Sequence, residues 1–253
     1  QVQEGIGFVA VTDSPEGVEM VLEDARGHEV GRGTTDRFGS LIFRDLAEGR
    51  NYVVREAAAG GATARVKVLN FDDHPDAAFY QEQTLAAGLQ YITARDGTRL
   101  AAMVRPPLGK TLADGPFPTV VEYSGYAAAD PRNPQPSTLL ASFLGFATVG
   151  VNMRGSGCSG GILDLFDLPT TADGYDIVET VAAQSWVKGG KVGMIGISFP
   201  GISQLFVAGA QPPHLAAVAP LSVIADIYRA PGFPGGIFNN GFAQSWLQDR
   251  RDD

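Results

Sequence analysis

The segment at residues 191–205 constrains the fold of this chain more than any other. An apolar run over residues 192–197 is followed by Ser198, and Pro200 and Gly201 then begin a helical pattern. A strand, a sharp turn and a helix in this order lift the serine hydroxyl out of a sheet, where a base can reach it. The same turn presents the next backbone N–H to an oxyanion. The sequence therefore predicts that Ser198 is the nucleophile of a serine hydrolase.

The composition limits the classes of protein to which the chain can belong. Its 253 residues suffice for one large domain, or for a medium-sized and a small one. The apolar fraction of 44% permits a substantial core, and the formal net charge of −9 argues against a nucleic-acid partner or an anionic membrane surface. Cys158 is the single cysteine, and the acidic residues match no calcium loop, so we expect neither a metal nor a cofactor.

Residues 1–70 lack long helical periodicity and carry short apolar runs separated by turn residues. These runs lie at residues 6–11, 18–22, 39–43, 52–54 and 64–69. Strands at this spacing predict a small antiparallel β-sandwich, and the pattern of turns resembles prealbumin-like or immunoglobulin-like repeats. Residues 71–88 have the character of a linker with a short helical turn. We place the domain boundary near residue 85, so that the sandwich and its linker form a first domain over 1–84.

Residues 85–253 have a different pattern, in which apolar strands alternate with helices. An antiparallel hairpin with an Asp96-Gly97 turn comes first. The predicted strands then lie at 118–123, 146–152, 192–197 and 215–220, and the predicted helices at 137–144, with Ser137 as N-cap, 172–184 and 202–209. Fully apolar strands that alternate with helices indicate a parallel sheet covered on both faces. This is the opening layout of the α/β-hydrolase fold, so we predict the N-terminal part of such a domain, ending where a helical cap begins.

The serine motif departs from the common Gly-x-Ser-x-Gly spacing. Its second glycine comes one residue late, as Gly196-x-Ser198-x-x-Gly201. The backbone N–H of Phe199 is the first candidate for an oxyanion donor, and the missing N–H of Pro200 costs nothing at the start of a helix. Taken alone, the motif also fits a plain turn between a core strand and a helix. Its position after three sheet strands favours the nucleophile.

Several motifs in the same order resemble the CocE/NonD α/β-hydrolases, the cocaine-esterase-like and X-prolyl dipeptidyl-peptidase-like group. The resemblance covers about residues 89–253. The matching segments are the Arg-Gly-Ser-Gly-Cys-Ser-Gly-Gly loop at 154–161, residues 173–176 and 184–186, the stretch 190–198, and residues 225–231 at the entrance to the cap. The resemblance implies that a tyrosine hydroxyl completes the oxyanion hole, and Tyr126 aligns better with that position than Tyr123. The group usually has a tyrosine where this chain has Phe199, so a hydroxyl contact is lost there.

None of the three histidines is a credible general base in the sequence. His28 falls in the predicted sandwich, His74 in the linker, and His214 in a loop that should lie at the far end of the sheet from Ser198. The family resemblance implies that the histidine and the acid of the triad follow the cap, beyond Asp253. We therefore expect a complementary C-terminal segment or a second chain to supply both.

These observations predict a serine acyl hydrolase that cleaves an ester or an amide through an acyl-enzyme. The close alternative is an X-prolyl dipeptidyl-peptidase or an amino-acid ester hydrolase of the same group, which would need residues that capture the amino group of its substrate. The alternative from another class is a non-catalytic binding or assembly subunit. We expect an acyl compound or a peptide as substrate, and no nucleic-acid or membrane partner.

Overall fold

The computed structural model describes residues 1–58 and 62–251 of the chain, so residues 252–253 of the predicted second domain lie outside the described residues. The N-terminal part consists of two antiparallel sheets. One contains β1 (Val2–Gly5), β2 (Phe8–Val11) and β5 (Leu41–Phe43) in the order β1-β2-β5. The other contains β3 (Glu19–Asp24), β4 (Glu29–Thr34), β6 (Asn51–Glu56) and β7 (Ala62–Lys67) in the order β4-β3-β6-β7.

The two sheets share one apolar core, as expected for a small β-sandwich. The buried side chains include Val9, Leu22, Val54 and Val68, all fully inaccessible to solvent. The sequence runs did not reveal β1 or β4 as separate strands. In β4, no residue is buried and the partly buried positions include Gly31 and Gly33, so this strand has little apolar signal. A Cβ at Gly33 would lie 2.8 Å from Leu41 Cδ1, so a larger residue there would require the Leu41 side chain to move.

A short helix, α1 (Ala77–Gln81), leads into a six-stranded mixed sheet. Its strands are β8 (Gly88–Thr93), β9 (Arg99–Arg105), β10 (Thr119–Ser124), β11 (Ala147–Asn152), β12 (Val192–Ile197) and β13 (Leu215–Leu221). The order is β13-β12-β10-β11-β9-β8, with the first four strands parallel and the β8–β9 hairpin antiparallel. The helices are α2 (Pro136–Phe143), α3 (Leu168–Ala182), α4 (Phe199–Gly209) and α5 (Phe242–Arg251). This confirms the predicted α/β-hydrolase sheet, preceded by a sandwich.

Alternation along β10 shows how the sheet is covered on both faces. The carboxylate of Glu122 accepts hydrogen bonds from the hydroxyls of Ser137 and Thr138 in α2. The next residue, Tyr123, points to the other face and donates its hydroxyl proton to the carbonyl of Thr170 in α3. Successive side chains of a strand face opposite ways, so α2 lies on one face and α3 on the other.

Three predicted helix starts are wrong, and one of them is that of α4, which begins at Phe199, three residues before the predicted start. Ser137 is not the N-cap of α2, since the cap is Gln135 and the Ser137 hydroxyl is bonded instead to Glu122 at 2.6 Å. Helix α3 begins four residues before the predicted start, capped by Asp167, whose carboxylate accepts from the Thr170 N–H at 2.8 Å. The polar sequence before Ala172 hid this first turn, in which a proline at N1 or N2 is readily accommodated.

Candidate active site

Ser198 lies at the turn between β12 and α4 in a strained backbone conformation. Its φ is 65° and its ψ is −121°, a combination rarely adopted by residues other than glycine. The Ser198 N–H donates to the carbonyl of Leu221 at 2.9 Å, and its carbonyl accepts from the N–H groups of Gly201 and Ile202, both at 2.8 Å. Such strain persists only where the surroundings hold it, and here β13 and the first turn of α4 do so.

Two glycines permit this turn because helix and strands approach each other closely. A Cβ on Gly196 would lie 2.6 Å from Pro200 Cβ, and a Cβ on Gly201 would lie 2.3 Å from the carbonyl oxygen of Leu221. Pro200 therefore occupies the place of the common second glycine, and Gly196 leaves room for its ring. The late glycine of the motif is Gly201, where α4 lies too close to β13 to leave room for a Cβ.

The turn opens onto a cavity of about 340 Å³. All three predicted site residues, Ser198, Phe199 and Tyr126, line this cavity. The structure thus brings together residues from β12, α4 and the loop after β10. The lining is predominantly apolar, and its aromatic members are Tyr126, Phe166, Phe199, Tyr228, Phe233, Phe238, Phe242 and Trp246. Such a site suits an acyl or leaving group with an apolar body.

The Phe199 side chain lies between the aromatic residues of the cavity and the loop after β10. Its ring is buried and makes edge-to-face contacts with Tyr126 at 5.4 Å, Phe166 at 5.0 Å and Trp246 at 5.6 Å between centroids. A Cβ on Gly125 would lie 2.2 Å from the ring, so this loop needs glycine there. The backbone N–H of Phe199 is in the first turn of α4, where N–H groups have no partner within the helix and can bind an anion.

Tyr126 has a hydrogen-bond partner that the sequence did not indicate. The indole Nε1–H of Trp246 in α5 donates to the Tyr126 hydroxyl oxygen at 3.1 Å. Indole can only donate, so the tyrosine oxygen is the acceptor of this bond. No motif marks Trp246, because its contact with Tyr126 spans 120 residues.

All three histidines of the chain are among the described residues, and none lines the cavity. The His214 carbonyl accepts from the Val192 N–H, at the opposite end of β12 from Ser198 and therefore about 20 Å away for six residues of strand. Its ring Nδ1 lies 2.6 Å from Glu179 Oε2. His28 pairs with Asp24 in the β3–β4 turn. His74 stacks on Tyr175 with centroids 4.1 Å apart, and burial lowers its pKa.

The glycine-rich loop at 154–161 is organised around a buried cation. Arg154 Nε and Nη2 donate to the two carboxylate oxygens of Asp173 at 2.7 and 2.6 Å, and Nη1 donates to Asp96 at 2.9 Å. These side chains are at most 4% exposed. The network joins the loop, α3 and the β8–β9 turn, and a buried pair of this kind is costly to break by removing one partner.

The described residues contain neither a candidate metal site nor a candidate membrane-spanning helix. Across residues 1–58 and 62–251, no group of three or more His, Cys, Asp or Glu side chains is placed to hold a metal ion. None of the helices in the same residues is long and apolar enough to cross a membrane.

This chain is similar in sequence or structure to several known hydrolases. The chain is 33% identical over 160 residues to the cocaine esterase of Rhodococcus, a match that covers 61% of this chain and 27% of that protein. It is 30% identical over 178 residues to a proposed serine esterase of Mycobacterium bovis, covering 62% of this chain and 27% of the relative. A CocE/NonD family hydrolase from Staphylococcus aureus superposes with a TM-score of 0.56 at 26% identity, over 66% of this chain and 36% of that structure.

The chain spans about a quarter of the length of the curated relatives it matches. Residues 96–252, well over half of the chain, match the family described as X-Pro dipeptidyl-peptidase (S15 family). The family match includes the Ser198 turn and strands β9 to β13 of the mixed sheet. The chain belongs to the X-Pro dipeptidyl-peptidase (S15) family.

Proposed function

We propose that this chain supplies the nucleophile and the oxyanion hole of a serine acyl hydrolase. The observation that carries the proposal is the strained Ser198 backbone, at a strand-to-helix turn that opens onto an apolar cavity. Strain of this kind concentrates at functional sites, and a plain connecting turn has no need of it. A non-catalytic binding subunit would likewise not require a serine in this conformation.

The proposed reaction proceeds through an acyl-enzyme. The Ser198 hydroxyl oxygen attacks the acyl carbonyl while a base takes its proton, and the Phe199 N–H and the Tyr126 hydroxyl donate to the resulting oxyanion. The base then gives the proton to the leaving alcohol or amine as the carbonyl–leaving-group bond breaks. Water attacks the acyl-enzyme by the same route and releases the acid.

The general base and its orienting acid come, in this proposal, from a complementary C-terminal segment or a second chain. None of the three histidines lies at the cavity, and an isolated serine is a weak nucleophile. The described part of the molecule also has exposed apolar side chains that we expect this segment to cover. Leu140 and Phe143 of α2 and the following Leu144 are 57%, 73% and 68% exposed, beside a groove of about 510 Å³ along β12 and β13.

The apolar lining of the cavity favours a substrate with an apolar acyl group. The described residues that line it include no aspartate or glutamate, so a peptidase or amino-acid ester hydrolase would need its amine-binding carboxylate from the complementary segment. Incubation of the complete protein with a fluorophosphonate, followed by peptide mapping, tests the proposal. We expect the adduct on Ser198, and an adduct on another serine alone would refute it.

Replacing Tyr126 with phenylalanine should lower kcat for an aromatic ester by roughly 10²–10³-fold, the usual cost of one oxyanion donor, with little change in KM. Trp246→Phe keeps a ring at the contact but removes the bond to the Tyr126 hydroxyl. It should cause a smaller fall in kcat, and none when Tyr126 is already phenylalanine. Steady-state kinetics of the two variants and their double mutant measures this coupling.

Tyr228→Phe is the matched control, because Tyr228 lines the same cavity and stacks on Phe233 without contacting Tyr126 in any described interaction. It should leave kcat unchanged. If kcat fell equally in the Tyr126→Phe and Tyr228→Phe variants, activity would depend on the hydroxyl groups of the cavity in general. That result would contradict the assignment of Tyr126 to the oxyanion hole.

A further inference from the structure

One wall of the cavity belongs to a loop that reaches the N-terminal sandwich. Residues 161–166 connect the glycine-rich loop to α3, and Leu165 and Phe166 line the cavity beside Ser198. On the other side of the same loop, Gly161 and Ile162 face β2 and β5 of the sandwich across a smaller cavity of about 220 Å³. The loop thus lies between the candidate active site and the sandwich.

The glycine-rich loop and the residues that follow it are held in place by different numbers of hydrogen bonds. Residues 154–160 are fixed to the sheet, since the Gly160 N–H donates to the Arg99 carbonyl and the Ser159 hydroxyl donates to the Asn152 carbonyl, both at 2.8 Å. In the part of the chain that the structure describes, residues 161–166 have one hydrogen bond to another segment. It is an ion pair, with Arg44 Nη1 donating to Asp164 Oδ2 at 2.9 Å.

Phe166 depends on how this loop is held. Its φ is 56°, which is strained for an aromatic residue. Its ring stacks on Phe206 at 4.9 Å and meets the edge of Phe199 at 5.0 Å. The ring of Phe166 is thus held by contacts with α4. The backbone two residues earlier, at Asp164, is held by the ion pair with Arg44 of the sandwich.

The sandwich can act as a fixed support because it is bonded to the hydrolase sheet at other points. The Gln3 side chain donates to the Asp96 carbonyl at 2.7 Å. Arg95, paired with the buried Asp176, donates to the carbonyls of Phe71 and Asp73 in the linker at 3.0 and 3.1 Å. The position of Arg44, directly after β5, is therefore set relative to the active-site loop.

We propose that the N-terminal β-sandwich positions the acyl-binding wall of the active site through Arg44. In this role Arg44 is a positioning residue: it holds Asp164, and through the loop it places Phe166 against the substrate. The expected effect on substrates rests on the proposed function. The anchoring of the loop by Arg44 does not depend on that function.

Arg44→Ala in the complete enzyme tests the effect on substrates. We expect KM for a bulky aromatic ester to rise about 2- to 5-fold, the range expected for loss of a partly exposed ion pair, with kcat and the KM for an acetyl ester unchanged. The double exchange Arg44→Asp with Asp164→Arg should restore KM. Arg32→Ala is the matched control, because Arg32 pairs with Glu29 in the same sandwich at similar exposure, away from the loop.

Amide hydrogen exchange of the peptide covering residues 160–167 provides a readout that needs no activity. Exchange should be faster in Arg44→Ala and unchanged in Arg32→Ala. Unchanged exchange in Arg44→Ala, or faster exchange with an unchanged ratio of the two KM values, would overturn the proposal. If Ser198 proves not to be the nucleophile, the proposed function fails, but the exchange result still decides whether Arg44 anchors the loop.

Discussion

Replacing Ser198 with alanine should lower kcat of the complete enzyme by roughly five to six orders of magnitude, the loss seen when a triad nucleophile is removed. Without the hydroxyl, no acyl-enzyme can form and only the oxyanion donors remain. The fold should be unaffected, because alanine tolerates the φ of 65° about as well as serine, and the backbone bonds to Leu221, Gly201 and Ile202 persist. Steady-state kinetics and intact-mass detection of the acyl-enzyme measure the two effects.

Ser222→Ala is the control for this experiment. Ser222 lines the same cavity and also has a positive φ, of 52°, but it does not lie at the start of a helix. Its replacement should leave acylation intact. Undiminished fluorophosphonate labelling of the Ser198 variant, or an equal loss in the Ser222 variant, would contradict the assignment of the nucleophile.

Gly201→Ala should destabilise the protein by about 3 kcal/mol, the upper part of the range for added volume in a tightly packed site. The new Cβ would lie 2.3 Å from the carbonyl oxygen of Leu221 and 3.1 Å from that of Gly196. Both are backbone atoms, and the Leu221 carbonyl also accepts the Ser198 N–H, so relief of the contact would displace the nucleophile. Denaturant unfolding gives the free energy, and kcat should fall in parallel.

Gly209→Ala provides the comparison within the same helix. Gly209 is the last residue of α4, and a Cβ there would meet nothing within 4 Å. Alanine should be neutral or stabilise the protein by up to about 1 kcal/mol through helix propensity. If the two variants lost equal stability, the close approach of α4 to β13 would not be the cause.

Local patterns in the sequence were sufficient where neighbouring residues alone decide the structure. The strand at 192–197 has the predicted bounds, and the Asp96-Gly97 turn closes the β8–β9 hairpin. Both signals are short-range: apolar residues bounded by glycine or a charge, and a turn that favours positive φ at its glycine, here 85°. The confirmed fold class follows from such segments in order.

The sequence did not indicate side-chain contacts between residues that are far apart along the chain, and in one case it suggested a wrong role. Ser137 resembles a helix cap but bonds to Glu122 in β10. Trp246 reaches Tyr126 over 120 residues, and Arg44 reaches Asp164 over the same separation. A pattern read within one window cannot reveal such pairs, because their energy depends on which elements the sheet order places side by side. The roles of Ser198, Phe199 and Tyr126 remain predictions for the experiments above.

The sequence by itself determined the order of strands and helices from β8 to β13, the position of the serine turn and the change from a β-rich to an α/β pattern. Each of these follows from hydrophobic periodicity and from the backbone preferences of glycine and proline. The tertiary structure decided the rest: why the second glycine comes late, which side chains enclose the serine, and how the sandwich contacts the active-site loop. These depend on close packing between Leu221 and Gly201 and on contacts such as Arg44–Asp164, which exist only when remote segments meet.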